Sequence, residues 1–485
     1  MTNFELPAKG QSKTAVLTKM QSMRATDVAW QDGKALSLVY FAGEEASSVI
    51  KEAYTMFFSE NGLNPTAFPS LRQFETEVVS MSAALLGGDE QVVGNMTSGG
   101  TESILMTVVT AREWARVNKP HITEPEMVLG VSVHPAFEKA SHYFGVKVVH
   151  VPVGDDFRVD VDAMAAAITP NTILLVGSAP AYPHGIVDSI QEIAALALQH
   201  KILCHVDSCV GGFMLPFVRK LGYSVPDFDF QVPGVTSMSA DLHKYAYAAK
   251  GASVILYRNR EIRRHQLFAY LDWPGGIYAS AGMSGTRPGG AIAAAWAILN
   301  YLGEEGYLEI TERVMKTAVT IRTGIQNIPD LKIIGTPHMS IMAVASGTLN
   351  IYEVGDEMAV RGWFIDRQQF PPTLHITINQ VHVTRANQFL TDLAESTAKV
   401  RKPSLQKMSN SLIVKAANAA TRYLPQSWVS KLTKNASTML GGGDDGGVPQ
   451  RSAAMYGMMG SLPNRGDIRE VVLDLLEQFT MPPSK

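Results

Sequence analysis

Residues 235–259, VTSMSADLHKYAYAAKGASVILYRN, hold two apolar runs, 235–240 and 252–257, separated by a polar turn that carries His243 and Lys244. Short apolar runs bounded by turn signals read as strands of a buried sheet. A lysine fixed between two core strands is constrained, and burial lowers the pKa of an ammonium group. Such a lysine can be a free amine near neutral pH and can form an imine with an aldehyde. An isolated His-Lys pair is more often part of a surface hairpin with a solvated lysine, so the choice depends on the flanking chain.

Upstream, helix-like stretches near 101–118, 135–144, 160–168 and 188–200 alternate with apolar runs at 127–133, 146–151, 173–177 and 202–206. Strands alternating with helices predict a mainly parallel sheet covered on both faces, with ligands at the carboxyl ends of its strands. Before it, residues 1–35 read as an arm of the kind that packs on a partner subunit. A helix over 44–58, a Gly/Pro/Asn loop at 61–70 and a helix over 71–86 follow. The pattern changes near Gly290: helices over 291–302 and 309–325 lead into short strands at 331–334, 341–345, 349–351 and 375–378, then a helix over 386–400. The expected division is an N-terminal extension and helix (1–60), a large α/β domain (61–305) and a smaller C-terminal α+β domain (306–485). The last contains a basic helical stretch at 412–432, a Gly-rich loop at 441–447 and a terminal helix over 468–479.

With 485 residues, 46% hydrophobic and 18% charged, the chain can bury a large core in more than one domain. Its 42 basic and 45 acidic side chains leave a formal charge of −3, which gives no electrostatic case for nucleic acid. The only cysteines are Cys204 and Cys209, which form no disulfide framework and suit a reducing compartment. His205 lies between them, but three ligands in one strand and its turn point to different faces, so zinc is not expected. The N-terminus lacks an apolar run of signal-peptide or membrane-span length, so the expected location is cytoplasmic, without a transmembrane segment.

Three motifs sit where polar loops follow apolar runs. TSGGTES (97–103) is a Gly-rich turn opening a helix. Free amides at Gly100 and the Thr101 hydroxyl make an anion site there, or the turn is a plain helix cap. No Gly-Lys-Ser/Thr follows, so it is not a Walker loop. In CHVDSC (204–209), Asp207 ends an apolar strand, where its carboxylate can pair with a protonated pyridine nitrogen or cap the next turn. In SVHPAF (132–137), His134 can stack on a flat ring or bond a backbone carbonyl. Taken in order, a phosphate turn, a strand-end His, a later strand-end Asp and a Lys 37 residues after it form the constellation of pyridoxal phosphate enzymes with an aspartate-aminotransferase-like fold.

The segments SGGTESILM, HPAFEKASHYFGVKVVHVPV, SAPAYPHGIVD, HVDSCVGGF, SMSADLHKYAYAAKGASVILY and GGIYASAGMSGTRPGG together resemble the sphingosine-1-phosphate lyases, in the pyridoxal phosphate-dependent group II decarboxylase family. The similarity runs from about Tyr40 to about Ala295 and resumes in AMYGMMGSLPNR; HVDSCVGGF and DWPGGIYAS look like the lyases rather than the decarboxylases. The resemblance implies a fold type I domain, a homodimer with shared active sites and a soluble, bacterial-type member. It makes Lys244 the covalent anchor of pyridoxal 5'-phosphate, Asp207 the partner of the pyridine nitrogen and His134 the residue stacked on the ring. Gly100, Thr101 and His243 would hold the cofactor phosphate, with Gly285 and Thr286 reaching it from the neighbouring subunit. Tyr40 and Lys250, with Asn61, Asn64 and Tyr182 nearby, would meet the substrate, a sphingoid base phosphate.

One position departs from the pattern. Where the family commonly has Asn-Pro-Leu-His, this chain has Asn61-Gly62-Leu63-Asn64, and Asn64 brings neither charge nor a titratable proton. The implied reaction is a retro-aldol cleavage to a long-chain aldehyde and phosphoethanolamine, with Lys244 or Tyr182 moving the proton. The competing reading is amino-acid decarboxylation, with Arg287 as the cation for the substrate carboxylate. A third, a cofactor-free lipid-phosphate binder, fits poorly with an intact Lys244 and Asp207. The basic stretch at 412–432 would pack on the small domain or touch a membrane peripherally.

Overall fold

The computed structural model describes residues 6–25, 27–402, 453, 456 and 465–481. The expectations for 412–432 and 441–447 lie outside the described residues, as does most of AMYGMMGSLPNR. The central sheet has seven strands: β1 (Val93–Thr97), β2 (Glu126–Gly130), β3 (Lys147–Val151), β4 (Thr172–Ser178), β5 (Leu203–Asp207), β6 (Ser237–Ala240) and β7 (Ser253–Tyr257). Their order is β1-β7-β6-β5-β4-β2-β3. Pairing is parallel from β6 across to β3 and antiparallel on both sides of β7. Every residue of β2, β4, β5, β6 and β7 is buried, so β4 and β7 read as nearly continuous apolar runs, while β5 and β6 also bury His205, Ser237 and Ser239.

The helices in chain order are α1 (Lys13–Arg24), α2 (Glu44–Met56), α3 (Pro69–Leu85), α4 (Gly100–Asn118), α5 (Ala136–Phe144), α6 (Val161–Ala167), α7 (Ile190–His200), α8 (Leu215–Lys220), α9 (Arg260–Arg264), α10 (Gly289–Gln326), α11 (Ile351–Val360) and α12 (Ala386–Arg401). A last helix covers Arg465–Thr480. Ile104, Val108 and Phe137 of α4 and α5 pack with Leu129 and Val176 on one face of the sheet. Val78, Ile190, Ile193 and Ile298 of α3, α7 and α10 join the larger cluster on the other. This two-sided cover leaves the strand ends as the place where polar side chains can gather.

A second sheet, ordered β10-β11-β13-β12, is antiparallel throughout and comprises β10 (Leu331–Ile333), β11 (Ile341–Ser346), β12 (Asp366–Gln368) and β13 (Thr373–Thr377). The chain before α2 is tied to it: Leu36 N donates to Phe364 O at 2.9 Å, and Thr377 N donates to Leu36 O at 2.9 Å. The arm-like character therefore stops at about Ala35, while α1 buries none of its residues. α10 is broken at Gly303, whose φ of 56° lies in the left-handed region that favours glycine.

Two local expectations are corrected. The strand expected at 349–351 is instead the start of α11: Asn350 caps it by accepting from Tyr352 N at 3.1 Å, and Ile351, Val354 and Met358 bury a helical face. The hairpin of β8 (Phe268–Trp273) and β9 (Gly276–Ser280) has no counterpart in the sequence reading. Every residue of β8 is exposed, so its apolar side chains follow no inside-outside alternation.

Candidate active site

The carboxyl ends of β4, β5 and β6, with the turns after β1 and β2, bring together most of the residues singled out in the sequence. The loop leaving β6 is held by backbone bonds: His243 N donates to Ala252 O at 3.1 Å, Ala248 N to Leu242 O at 3.0 Å and Tyr247 N to Lys244 O at 2.9 Å. It is also pinned from outside. Tyr245 Oη donates to Ile378 O at 2.9 Å and lies 2.7 Å from Ser340 Oγ, and Tyr307 Oη donates to Ala246 O at 2.8 Å. Lys244 thus projects from a loop clamped by both sheets and by α10.

Lys244 Nζ forms an ion pair with Asp241 Oδ2 at 2.8 Å, and Asp241 is almost fully buried. This reverses one expectation. Burial pulls the Lys244 ammonium down, but the Asp241 carboxylate outweighs it and the net shift is upward. His243 Nδ1 accepts from Ala252 N at 3.3 Å, so in the neutral ring the proton is on Nε2, which faces Asp241 Oδ2 at 3.6 Å. Burial lowers the His243 pKa and so favours that neutral form. Sequence reasoning passed over Asp241, although its place three residues before Lys244 in a tight turn was the available signal.

At the end of β5, Asp207 is 7% exposed and its Oδ1 accepts from Cys209 N at 3.1 Å. Across β1, Ser98 N donates to Glu102 Oε2 at 2.7 Å and closes the turn into α4. A Cβ on Gly100 would lie 2.8 Å from Cys209 Sγ and 2.9 Å from Asp241 Oδ1, and one on Gly99 would lie 3.3 Å from His243 Cε1. The first turn of α4 is therefore a cradle that only glycine leaves open, directly beside the Lys244 loop. Cys209 is the second residue the sequence reading did not place in the site. Thr101 is exposed on the same first turn, and His134 is exposed before α5, its Nδ1 accepting from Ala136 N at 3.1 Å. A strand-end carboxylate, a glycine cradle at a helix N-terminus and a clamped lysine fit a phosphorylated pyridine aldehyde.

Lys250 follows in the same loop. Its Nζ donates to Leu38 O at 2.8 Å and lies 5.4 Å from the centre of the Tyr40 ring. Burial, and then repulsion from Lys244, lower its pKa to about 8. Tyr40 packs edge-on against Tyr245, with ring centres 4.9 Å apart. Tyr182 stacks on His375 at 4.1 Å and its hydroxyl donates to Asp366 Oδ2 at 3.4 Å. Burial, then the Asp366 charge, push the Tyr182 phenol upward, so it stays protonated.

The loop 61–64 serves local structure. Asn61 Oδ1 accepts from Leu63 N and Arg287 N, and its Nδ2 donates to Thr286 Oγ1 at 3.3 Å. Asn64 Oδ1 accepts from Thr66 N, Thr66 Oγ1 and Ala67 N, which leaves Asn64 exposed and engaged in its own turn. Gly285 and Thr286 lie on the segment between β9 and α10, where Thr286 pairs with Asn61. Arg287 is held bidentately by Glu75, at 2.7 and 2.8 Å, and also donates to Gly62 O.

The model for the pyridoxal-dependent decarboxylase conserved domain matches residues 1–345, and the chain belongs to that family. The fold and site define the class: a pyridoxal phosphate-dependent lyase. Over 481 residues the chain is 42% identical to sphingosine-1-phosphate lyase of Oryza sativa, covering 98% of this chain and 81% of that protein. Over 404 residues it is 47% identical to the Arabidopsis thaliana sphingosine-1-phosphate lyase, covering 82% and 74%. A solved Burkholderia pseudomallei sphingosine-1-phosphate lyase superposes with a TM-score of 0.80 at 37% identity, over 85% of this chain and 97% of that one. Within the family, the chain stands among the sphingosine-1-phosphate lyases. A Lactobacillus brevis glutamate decarboxylase shares the fold, with a TM-score of 0.73 at 18% identity over 84% and 96% of the two chains. Among the described residues, no helix is long and apolar enough to cross a membrane.

Proposed function

We propose that the chain cleaves the C2–C3 bond of sphingoid base 1-phosphates, releasing a long-chain aldehyde and phosphoethanolamine. The observation that carries this reading is the choice of cations around the site. Lys250 shares the loop of Lys244 and can meet a phosphate, whereas Arg287, which a decarboxylase would need for its substrate carboxylate, is paired with Glu75.

Gly100, Thr101 and His243 would hold the phosphate of pyridoxal 5'-phosphate, Asp207 its ring nitrogen, His134 its ring face and Lys244 its aldehyde carbon. When bound, the cofactor supplies a conjugated ring that accepts the electron pair of the breaking bond. Asp207 holds the proton on the ring nitrogen. Lys250 Nζ and Tyr40 Oη bind the substrate phosphate and so orient the C2–C3 bond. Lys244 Nζ, as the free amine, would take the C3 hydroxyl proton, with Asp241 at 2.8 Å balancing the ammonium it becomes, and C2 would regain a proton from that ammonium or from Tyr182. Tyr182, kept protonated beside Asp366, is the better donor than acceptor.

A second copy of the chain completes the site in this reading, contributing Gly285 and Thr286. The β8–β9 hairpin leading to them exposes Leu271 at 67% and Ile277 at 77%, an apolar edge suited to a homodimer contact. Beside it is a cavity of about 860 Å3 lined by Glu75, Asn95, Arg263, Phe268 and Gly285.

The test is product analysis with sphinganine 1-phosphate and, in parallel, carbon dioxide release from amino acids. Aldehyde without carbon dioxide is expected; the converse would establish the decarboxylase. Lys244→Ala should abolish both turnover and the visible absorption of the holoenzyme, and retention of either would sink the role of Lys244.

A further inference from the structure

His205 is fully buried in the middle of β5, two residues before Asp207 and on the same side of the strand. In the sequence it invited a metal reading; in the fold both ring nitrogens meet hydroxyls. Nδ1 lies 2.9 Å from Ser237 Oγ and 3.4 Å from Thr107 Oγ1, and Nε2 lies 3.2 Å from Ser239 Oγ. Ser239 stands opposite Asp207 in the β5–β6 register, and its Oγ donates to Asp207 Oδ1 at 3.4 Å. Cys209 Sγ also donates to Ser239 Oγ, at 3.2 Å.

The protons in this chain can be counted. Burial lowers the His205 pKa to about 4, so the ring carries a single proton near neutral pH. Thr107 Oγ1 donates to Ser103 O at 2.9 Å. With the ring proton on Nδ1, Nε2 would need the Ser239 hydroxyl proton, and a serine lone pair would face the Asp207 carboxylate. With the proton on Nε2, the ring donates to Ser239 Oγ, Ser239 donates to Asp207 Oδ1, and Ser237 donates to Nδ1. Only this tautomer satisfies every buried group.

We propose that His205, acting through Ser239, is a positioning residue that fixes the Asp207 carboxylate by directing the Ser239 hydroxyl proton onto Oδ1. Oδ1 then has two protein donors, Cys209 N and Ser239 Oγ, and Oδ2 is left to take the ring N–H of the cofactor. The inference rests on the reading of Asp207 as the partner of the pyridine nitrogen.

The test uses the full-length holoenzyme and its His205→Phe, His205→Gln, Ser239→Ala and Asp207→Asn variants. The readouts are the dissociation constant of pyridoxal 5'-phosphate, the pH titration of the visible band and the melting temperature. Loss of a hydrogen bond to a charged group predicts cofactor binding about tenfold weaker in His205→Phe and in Ser239→Ala. The pH titration should move in both, and the double variant should be no worse than either alone. His205→Gln, whose amide can occupy the place of Nε2–H, should restore most of the affinity. Wild-type affinity and titration in a folded Ser239→Ala or His205→Phe would overturn the proposal, as would full additivity of the two. If Asp207→Asn also behaves as wild type, the reading of Asp207 itself fails. If it alone is impaired, only the relay does.

Discussion

The 2.8 Å contact between Lys244 Nζ and Asp241 Oδ2 decides the charge state of Lys244, the proposed reacting amine. Burial by itself would favour the neutral form, but a buried carboxylate at that distance outweighs desolvation, so the base strength of Lys244 is a property of the pair. Among the described residues no carboxylate is bonded to Lys250, and burial, then Lys244, lower it to about 8. It is charged below that pH and loses its charge as pH rises through it, while a phosphate monoester takes its second charge near about pH 6. The KM for a sphingoid phosphate should therefore be lowest between about pH 6 and 8 and climb above that range. In Lys250→Met, KM should be high throughout and the alkaline climb absent; a KM–pH series on both proteins checks this. An unchanged climb in the variant would remove Lys250 from the phosphate site.

The first turn of α4 is the element proposed to hold the cofactor phosphate beside the lysine loop. Its fit depends on missing atoms, since a methyl group at residue 100 would press on Cys209 Sγ and Asp241 Oδ1. Gly100→Ala should therefore raise the cofactor dissociation constant by about 5- to 150-fold, from an overpacking cost of about 1–3 kcal/mol at the cradle. Equilibrium titration of the visible band measures this, with the far-ultraviolet spectrum as the control for folding. Affinity equal to wild type would mean that the phosphate does not sit in this turn. At the same scale, α11 shows why 349–351 misled. Leu349 and Ile351 alone, two residues apart, suggest a strand, but the Asn350 between them caps a helix and the later period of Val354 and Met358 continues it.

Across the whole molecule, the clamp on the Lys244 loop joins four distant parts of the chain: Tyr40 before α2, Tyr307 in α10, Ser340 before β11 and Ile378 after β13. The apolar edge of the β8–β9 hairpin remains open in one copy. If the proposed homodimer forms through this edge, the double variant Leu271→Glu/Ile277→Glu should leave a monomer and, with the proposed Gly285 and Thr286 of the second copy withdrawn, reduce cofactor retention. Light scattering and the visible absorbance of the same sample report both. A dimer that persists with full cofactor would place the interface elsewhere.

The alternation of helices with apolar runs was legible because a sheet covered on both faces needs strands that are apolar throughout, and period and length record that directly. Lys244, Asp207 and Gly100 stood out for a related reason: each lies at a strand end or helix start, which turn chemistry marks locally, while their proposed roles rest on the order of the motifs and the family resemblance. The sequence marked Asp241 only by its place three residues before Lys244, and did not show the turn that engages Asn64 or the pairing of Arg287 with Glu75. Nor could it show His205 and Ser239 lined up behind Asp207. The Asp241 and Asn64 contacts are local and follow from the turn geometry the fold imposes, whereas the Arg287–Glu75 and His205–Ser239 contacts join segments tens to hundreds of residues apart that only strand register and packing bring within hydrogen-bonding range.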